Sequence, residues 1–330
     1  MDDLFVRVMS MRMSPILVPC KATFLSLFVL CLFQSAARAD WQRTDTTLAW
    51  RVGANVVWQF SFDPQKGKPF FHPLTVAGGP ALTNFKPVDH PWHYGLWFSW
   101  KYINHVNYWE EDRMTGHAEG ATRWSTPVIE TKPDGSARIR FDLTYTNPSN
   151  RVDMTESRDL EISAPKPDGS YTIDWRAHFT AGKAGAVLDR TPMPGEPDGK
   201  VNGGYAGLGI RMAAQPLTMS VVCSTGLVTH FESDRARPNA AAVGCNFSEG
   251  PKEIGGLAIF SAPANTGENA PWYLINGEQF RFACAAILAP KPLTLAAGER
   301  MNLDYRIAVQ PRAWTTNTLQ TAYAAWLPAH

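Results

Sequence analysis

Residues 88–112 read VDHPWHYGLWFSWKYINHVNYWEED. Trp92, Trp97, Trp100 and Trp109 stand there among Tyr94, Phe98, Tyr102 and Tyr108, and His90, His93, His105, Asp89, Glu110, Glu111 and Asp112 fall in the same window. Pro91 keeps residues 89–93 irregular. Residues 94–100 then alternate: Tyr94, Leu96, Phe98 and Trp100 share a core face, and His93, Gly95, Trp97 and Ser99 share a mixed one. Residues 103–106 read as a turn and 107–111 as the return strand. A strand needs apolar residues, but not indoles packed beside imidazoles and carboxylates. Flat faces next to titratable groups suit a pocket for a polar ring such as a sugar. The plainer alternative is a Trp-rich hairpin whose histidines are satisfied by hydrogen bonds.

Working outward, short β-type runs flank this stretch. Residues 47–62, TLAWRVGANVVWQFSF, form a hairpin about Gly53-Ala54-Asn55. In KPFFHPL (68–74) two prolines predict an extended segment at a sheet edge or rim, with His72 at the border. Residues 124–132, 137–147, 155–163 and 171–180 read as strands, punctuated by Pro-Asp-Gly turns at 133–135 and 167–169. In the last of these Asp174, Arg176 and His178 share one side, which we read as solvated at Arg176. Residues 181–202 are long and rich in Gly, Pro and charge, suiting a rim or lid. GGYAGLGIR (203–211) holds G-x-G pieces without a preceding βα unit, so it is no dinucleotide fingerprint; glycines here mark a bulge or close backbone approach. Further strands are expected at 218–223, 227–231, 255–260, 280–288, 293–295 and 301–309, with Pro271-Trp272-Tyr273 in a loop. Only residues 316–326 carry a helical period, through Leu319, Ala322, Tyr323 and Trp326. The expectation is an all-β chain: a single large antiparallel β-sandwich domain over residues 40–330 with a short C-terminal helix.

Residues 1–39 read as a signal peptide. Arg7, Arg12 and Lys21 precede a short apolar run at 22–33, and Ala37-Arg38-Ala39 is a small-x-small cleavage site. A later start at Met11 or Met13 would fit the long leader. A periplasmic or secreted location follows, with no membrane span after the leader is removed. The whole chain has a formal charge of +1 and stays near neutral without the leader, which gives no electrostatic case for nucleic acid. Cys223, Cys245 and Cys284 remain beyond the leader, an odd number that excludes a fully paired disulfide framework. Buried free thiols are the favoured reading, and a Cys223–Cys245 bridge is the alternative.

KPFFHPL, DHPWHYGLWFSW, INHVNYWEE, GGYAGLGIR and PWY, in this order, resemble the bacterial DUF6807 family. The resemblance spans most of the chain beyond the leader. Tyr94 stands where the family pattern often has Arg, and His105 where it often has Gly. The family also carries a methane-oxygenase label. The protein that label belongs to is a multi-span helical membrane subunit, so here it reads as a name and not an activity. The family is similar to galactose-mutarotase-type sandwiches, which implies a sugar-related role and a carbohydrate or glycoside as ligand.

Two functions of different class follow. In the first, a carbohydrate-active enzyme, His90 or His93 transfers a proton to or from a ring or glycosidic oxygen, with Asp89 or Glu110 as partner carboxylate and His72 and His117 as further candidates. Trp97, Trp109 and Trp272 would stack on the sugar, and Asn107, Tyr205 and Arg211 would hold its hydroxyls. No cofactor is expected; a divalent-metal variant would have His72, His90, His93 and His117 converge. In the second, a non-catalytic glycan-binding sandwich, the tryptophans matter and the proton-transfer groups do not.

Overall fold

Strand formation follows the alternation where one face meets water. In Ala137–Thr146 and Val152–Ile162, buried and exposed residues succeed each other for most of their length. The expected Pro-Asp-Gly turns lie where φ must be positive, at Gly135 (88°) and Gly169 (84°). The computed structural model describes residues 39–327; the leader expectation, apart from Ala39, lies outside the described residues.

Two large antiparallel sheets pack face to face. The first runs in the order Ala39–Arg43, Thr47–Val52, Asn55–Ser61, Phe70–Leu74, Leu96–Ser99, Gly207–Arg211, Arg281–Ala285, Ala270–Asn276 and Arg235–Ala236. The second runs Gly226–Val228, Thr218–Cys223, Ala242–Glu249, Lys252–Ser261, Arg300–Gln310, Tyr171–Ala181, Val152–Ile162, Ala137–Thr146 and Ala121–Trp124. A small sheet joins Leu293–Leu295, Ala186–Asp189, Tyr102–Ile103 and Val106–Asn107. Aromatic pairs such as Phe98–Phe179 (5.4 Å) and Phe71–Trp175 (6.4 Å) bridge the large sheets. The helix Thr316–Trp326 begins at a Thr315–Thr318 capping box and buries Leu319 and Trp326. The large sandwich with its C-terminal helix is as expected.

Four readings need correction. Phe70–Leu74 is not an edge: it sits between Asn55–Ser61 and Leu96–Ser99. Its proline is tolerated because the ladder shifts register there, between Trp58 and Phe60. Trp272 and Tyr273 lie in a strand, Ala270–Asn276, and not in a loop. Residues 181–202 contain the strand Ala186–Asp189. The alternation through residue 94 breaks at Gly95 (φ 74°), where a Cβ would lie 2.4 Å from the Phe71 carbonyl oxygen. That residue shifts the phase, so Tyr94 joins Trp97 on the outer face instead of the inter-sheet core. Cys223, Cys245 and Cys284 are free and buried, and burial pushes their thiols up to about 12. Among the described residues no helix is long and apolar enough to cross a membrane.

Candidate functional site

The first sheet has two apolar faces. Leu96, Phe98, Trp272, Leu274, Ala283 and Ala285 point into the main core. The residues between them, Trp97, Tyr273, Ile275, Phe282 and Cys284, build a second cluster on the outer face with Phe70, Tyr94 and Trp109. A cavity of about 420 Å³ opens over this cluster, within the size range of small-ligand sites.

One wall is the loop ahead of Leu96–Ser99. Backbone bonds His90 N–Pro87 O (3.0 Å) and His93 N–His90 O (3.0 Å) fold it into two successive turns, and Lys86 N–His93 O (2.8 Å) closes its base. The turns stack His90 on His93 with ring centroids 4.8 Å apart, and both line the cavity. Arg113 fastens the loop from outside, donating to the carbonyls of Val88 (3.0 Å) and Asp89 (2.7 Å) and lying over Trp92. Asp89 accepts from His90 Nδ1 (2.9 Å) and from the buried Arg211 (2.8 Å), whose guanidinium covers Phe280 at 3.9 Å.

The facing wall carries Glu110. Asn107 Oδ1 accepts from the backbone N–H groups of Trp109 (2.8 Å) and Glu110 (3.3 Å), an Asx turn that fixes the carboxylate's position. Asn107 Nδ2 (2.8 Å), Lys101 and Tyr205 Oη (2.5 Å) all donate to Glu110. Trp109 packs between Tyr205 (5.2 Å) and Trp97 (5.4 Å). Tyr273, Ile275, Phe280 and Phe282 form the apolar side, and Val201, Asn202 and Arg235 form the rim.

Charges follow from these contacts. Burial raises the Asp89 carboxyl, but hydrogen bonds from Arg211 and His90 outweigh it and hold the group below its ordinary value. Glu110 is likewise lowered: burial opposes ionisation, and Lys101, Tyr205 and Asn107 overcome it. Desolvation lowers His90 despite Asp89, and lowers His93 well below 6.5 with help from His90 and Arg211. At neutral pH the cavity therefore holds two neutral imidazoles facing ionised carboxylates. Because ionised Asp89 can only accept, His90 Nδ1 carries the proton and Nε2 keeps a lone pair. His93 Nδ1 is buried with no partner among the described residues.

Of the residues expected from sequence, His90, His93, Trp109, Glu110 and Tyr205 line this one cavity. Asp89 bonds to His90 and Asn107 to Glu110, while Arg211 bonds to Asp89 and lies over Phe280. Others lie elsewhere. His72 bonds Thr83 (2.9 Å) and stacks on Phe85. His117 lines a different recess with Lys68 and Glu111. Trp97 is fully buried beneath His93 and offers no free face, and Trp272 is in the main core with its indole N–H on the Ala240 carbonyl (2.9 Å). The four histidines of the metal variant do not converge, and among the described residues no group of three or more His, Cys, Asp or Glu is arranged to hold a metal ion. Sequence reasoning missed Lys101, Arg235, Tyr273, Phe280 and Phe282. Residues 271–275, PWYLI, are apolar throughout, so no alternation marks Tyr273 rather than Trp272 as the residue on the cavity side. A larger groove of about 660 Å³ adjoins the cavity but holds neither His90, His93 nor Glu110.

An all-β sandwich with a cavity lined by imidazoles, aromatic rings and a carboxylate on the outer face of one sheet is the class these observations define. The chain belongs to the Family of unknown function (DUF6807), whose profile matches residues 47–324. No curated protein matches it. Among solved structures it is similar to a candidate aldose 1-epimerase from Klebsiella pneumoniae, at 8% identity over 84% of this chain and 83% of that one, with a TM-score of 0.45. It is also similar to an α-galactosidase from Lactobacillus brevis (8% identity, 88% of this chain and 42% of that one, TM-score 0.45). An α-galactosidase from Geobacillus stearothermophilus compares in the same way (8%, 84% and 41%, TM-score 0.46). The chain thus spans about two fifths of the length of these galactosidases.

Proposed function

We propose that the cavity binds a carbohydrate, as free sugar or glycoside, and that His90 moves a proton on it. The observation that carries this reading is the neutral His90, held by Asp89 on its Nδ1 side, in one aromatic-walled cavity with ionised Glu110. On a free sugar His90 Nε2 takes the anomeric hydroxyl's proton as C1=O forms and the bond from C1 to the ring oxygen breaks, and it returns that proton to the ring oxygen. On a glycoside it takes a proton from the water that attacks the anomeric carbon and gives it to the leaving oxygen. Asp89 stabilises the imidazolium in both cases. Trp92, Tyr205 and Phe280, the partly exposed rings of the cavity wall, supply faces for the sugar, and Tyr205 Oη and Glu110 offer acceptors for its hydroxyls. The basic leader and its small-residue cleavage site support export to the periplasm or medium.

One observation favours a second reading, glycan binding without turnover. Both Glu110 oxygens are already engaged by the protein's own donors, which suits a fixed acceptor better than a base. A panel of D-glucose, D-galactose and D-xylose, with their nitrophenyl glycosides, separates the two. Binding is read by saturation-transfer NMR, anomer exchange by polarimetry and cleavage by nitrophenol release. The enzyme reading expects turnover of at least one compound, falling at least a hundredfold in His90→Asn with affinity kept within threefold. Binding with no turnover by the native protein establishes the second reading. No binding of any member rejects both.

A further inference from the structure

The inner cavity does not end at its rim. Val201 and Arg235 line it and also line the adjoining groove of about 660 Å³, so the two spaces meet at these residues. Arg237, His230 and Glu232 are the other ionisable side chains on the groove wall apart from Cys223, and Glu232 is exposed. Arg235 Nε donates to Tyr273 Oη (3.1 Å) and its Nη1 to the Ser233 carbonyl (2.5 Å). Among the described residues its Nη2 donates to nothing. Arg237 lies over the Tyr273 ring, 4.3 Å from its centre, and donates to the carbonyls of Val201 (3.1 Å) and Gly203 (2.7 Å). Neither guanidinium meets a carboxylate among the described residues. Arg190 and Arg211, by contrast, are paired with Glu196 and Asp89. Burial lowers Arg237 from its ordinary value, and the charge of Arg235 lowers it further.

Two like charges held on one tyrosine, with a spare fork donor on a side chain that lines the groove, form a ready oxyanion site. We propose that the groove receives a sugar unit bearing a carboxylate or sulfate, linked to the unit in the inner cavity, with Arg235 as the donor to its oxyanion. The proposal rests on the carbohydrate reading above and sharpens its substrate class to acidic oligosaccharides of at least two units.

Calorimetric titration with galacturonic- and glucuronic-acid disaccharides, their methyl esters and monosulfated neutral disaccharides tests it. At least one charged disaccharide should bind tenfold or more tightly than its uncharged counterpart, and that preference should shrink as salt rises. Preference for the acids over the sulfates, or the reverse, identifies which oxyanion is meant. The preference should vanish in Arg235→Gln. It should also vanish in Leu227→Glu, which adds a carboxylate to the groove at a side chain 64% exposed and so leaves the fold intact. Equal binding of charged and uncharged disaccharides overturns the proposal, as does a preference that survives both substitutions. If neutral monosaccharides bind and no charged preference exists, this proposal fails alone. If no sugar binds, it fails together with the carbohydrate reading.

Discussion

Tyr145 donates to Glu156 at 2.5 Å, and Tyr205 donates to Glu110 at the same distance. Each carboxylate also has a cation, Arg158 for Glu156 and Lys101 for Glu110. The surroundings differ. Glu156 and Arg158 are fully buried between the two sheets, with the guanidinium 4.7 Å from the Trp175 ring and 5.8 Å from Phe98. Glu110 is 24% exposed and opens on the outer cavity. A buried ion pair with a tyrosine is thus no mark of function in itself. Access is the deciding term, because only the outer pair can exchange one of its partners for a ligand.

The largest expected effect breaks the sealed pair. Arg158→Met leaves Glu156 charged and uncompensated in the interior, which should cost about 3–5 kcal/mol of stability in urea unfolding. A loss below about 1 kcal/mol would mean that the interior pair is hydrated after all, and the contrast with Glu110 would go with it. Acid should act next. His72 is lowered to about 4 by burial, against 6.5 for an exposed imidazole. The unfolded chain therefore binds the proton first as pH falls. The stability held by keeping His72 neutral is complete above pH 6.5 and is lost as pH drops from 6.5 through 4, on the order of 2–3 kcal/mol. His93, also lowered, adds in the same direction. Urea midpoints at pH 7, 5.5 and 4.5 should fall steadily, and His72→Gln should flatten the slope. An unchanged slope in that variant would remove His72 from the account.

The matched pair of tyrosine substitutions compares the two regions directly. Tyr145→Phe strips a donor from a carboxylate that water cannot reach, which should cost about 1–3 kcal/mol of stability and leave sugar affinity alone. Tyr205→Phe removes the same bond where cavity water can replace it. Its stability should change by less than about 1 kcal/mol, while sugar affinity or turnover falls about tenfold. Equal stability losses would show that openness does not separate the two sites.

What was legible in the sequence follows the same divide between faces. Ala137–Thr146, Val152–Ile162 and Tyr171–Ala181 turn one side to water or to a solvated edge, so alternation and the Pro-Asp-Gly turns announce them. Ala270–Asn276 is apolar on both faces, because the second aromatic cluster covers its outside; with no alternation to read, its Pro-Trp-Tyr looked like loop. His90, His93, Trp109 and Glu110 were found because one short stretch of sequence carries them all. Tyr273, Phe280 and Arg235 were not, because they reach the cavity through pairings of Gly207–Arg211 with Leu96–Ser99 and Arg281–Ala285, and of Ala270–Asn276 with Arg281–Ala285 and Arg235–Ala236, that no local pattern encodes. Gly95 hid Tyr94 by shifting the strand phase at one residue.

His105 gives the smallest test and isolates the site from the stretch that carries it. It follows Asn104 in the hairpin joining Tyr102–Ile103 to Val106–Asn107, and both residues have positive φ, 52° and 69°. A two-residue turn of this kind favours Asn-Gly, so a histidine in the second place holds backbone strain that a glycine would release. Part of the gain is offset by the greater freedom glycine brings to the unfolded chain. His105→Gly should therefore stabilise the protein by about 0.5–1 kcal/mol in urea unfolding. Sugar affinity, turnover and their pH dependence should stay as they are, since this imidazole does not line the cavity where His90 and His93 meet. A change in sugar binding would show that the hairpin tip reaches the ligand, and the site's boundary would then have to be redrawn to include it.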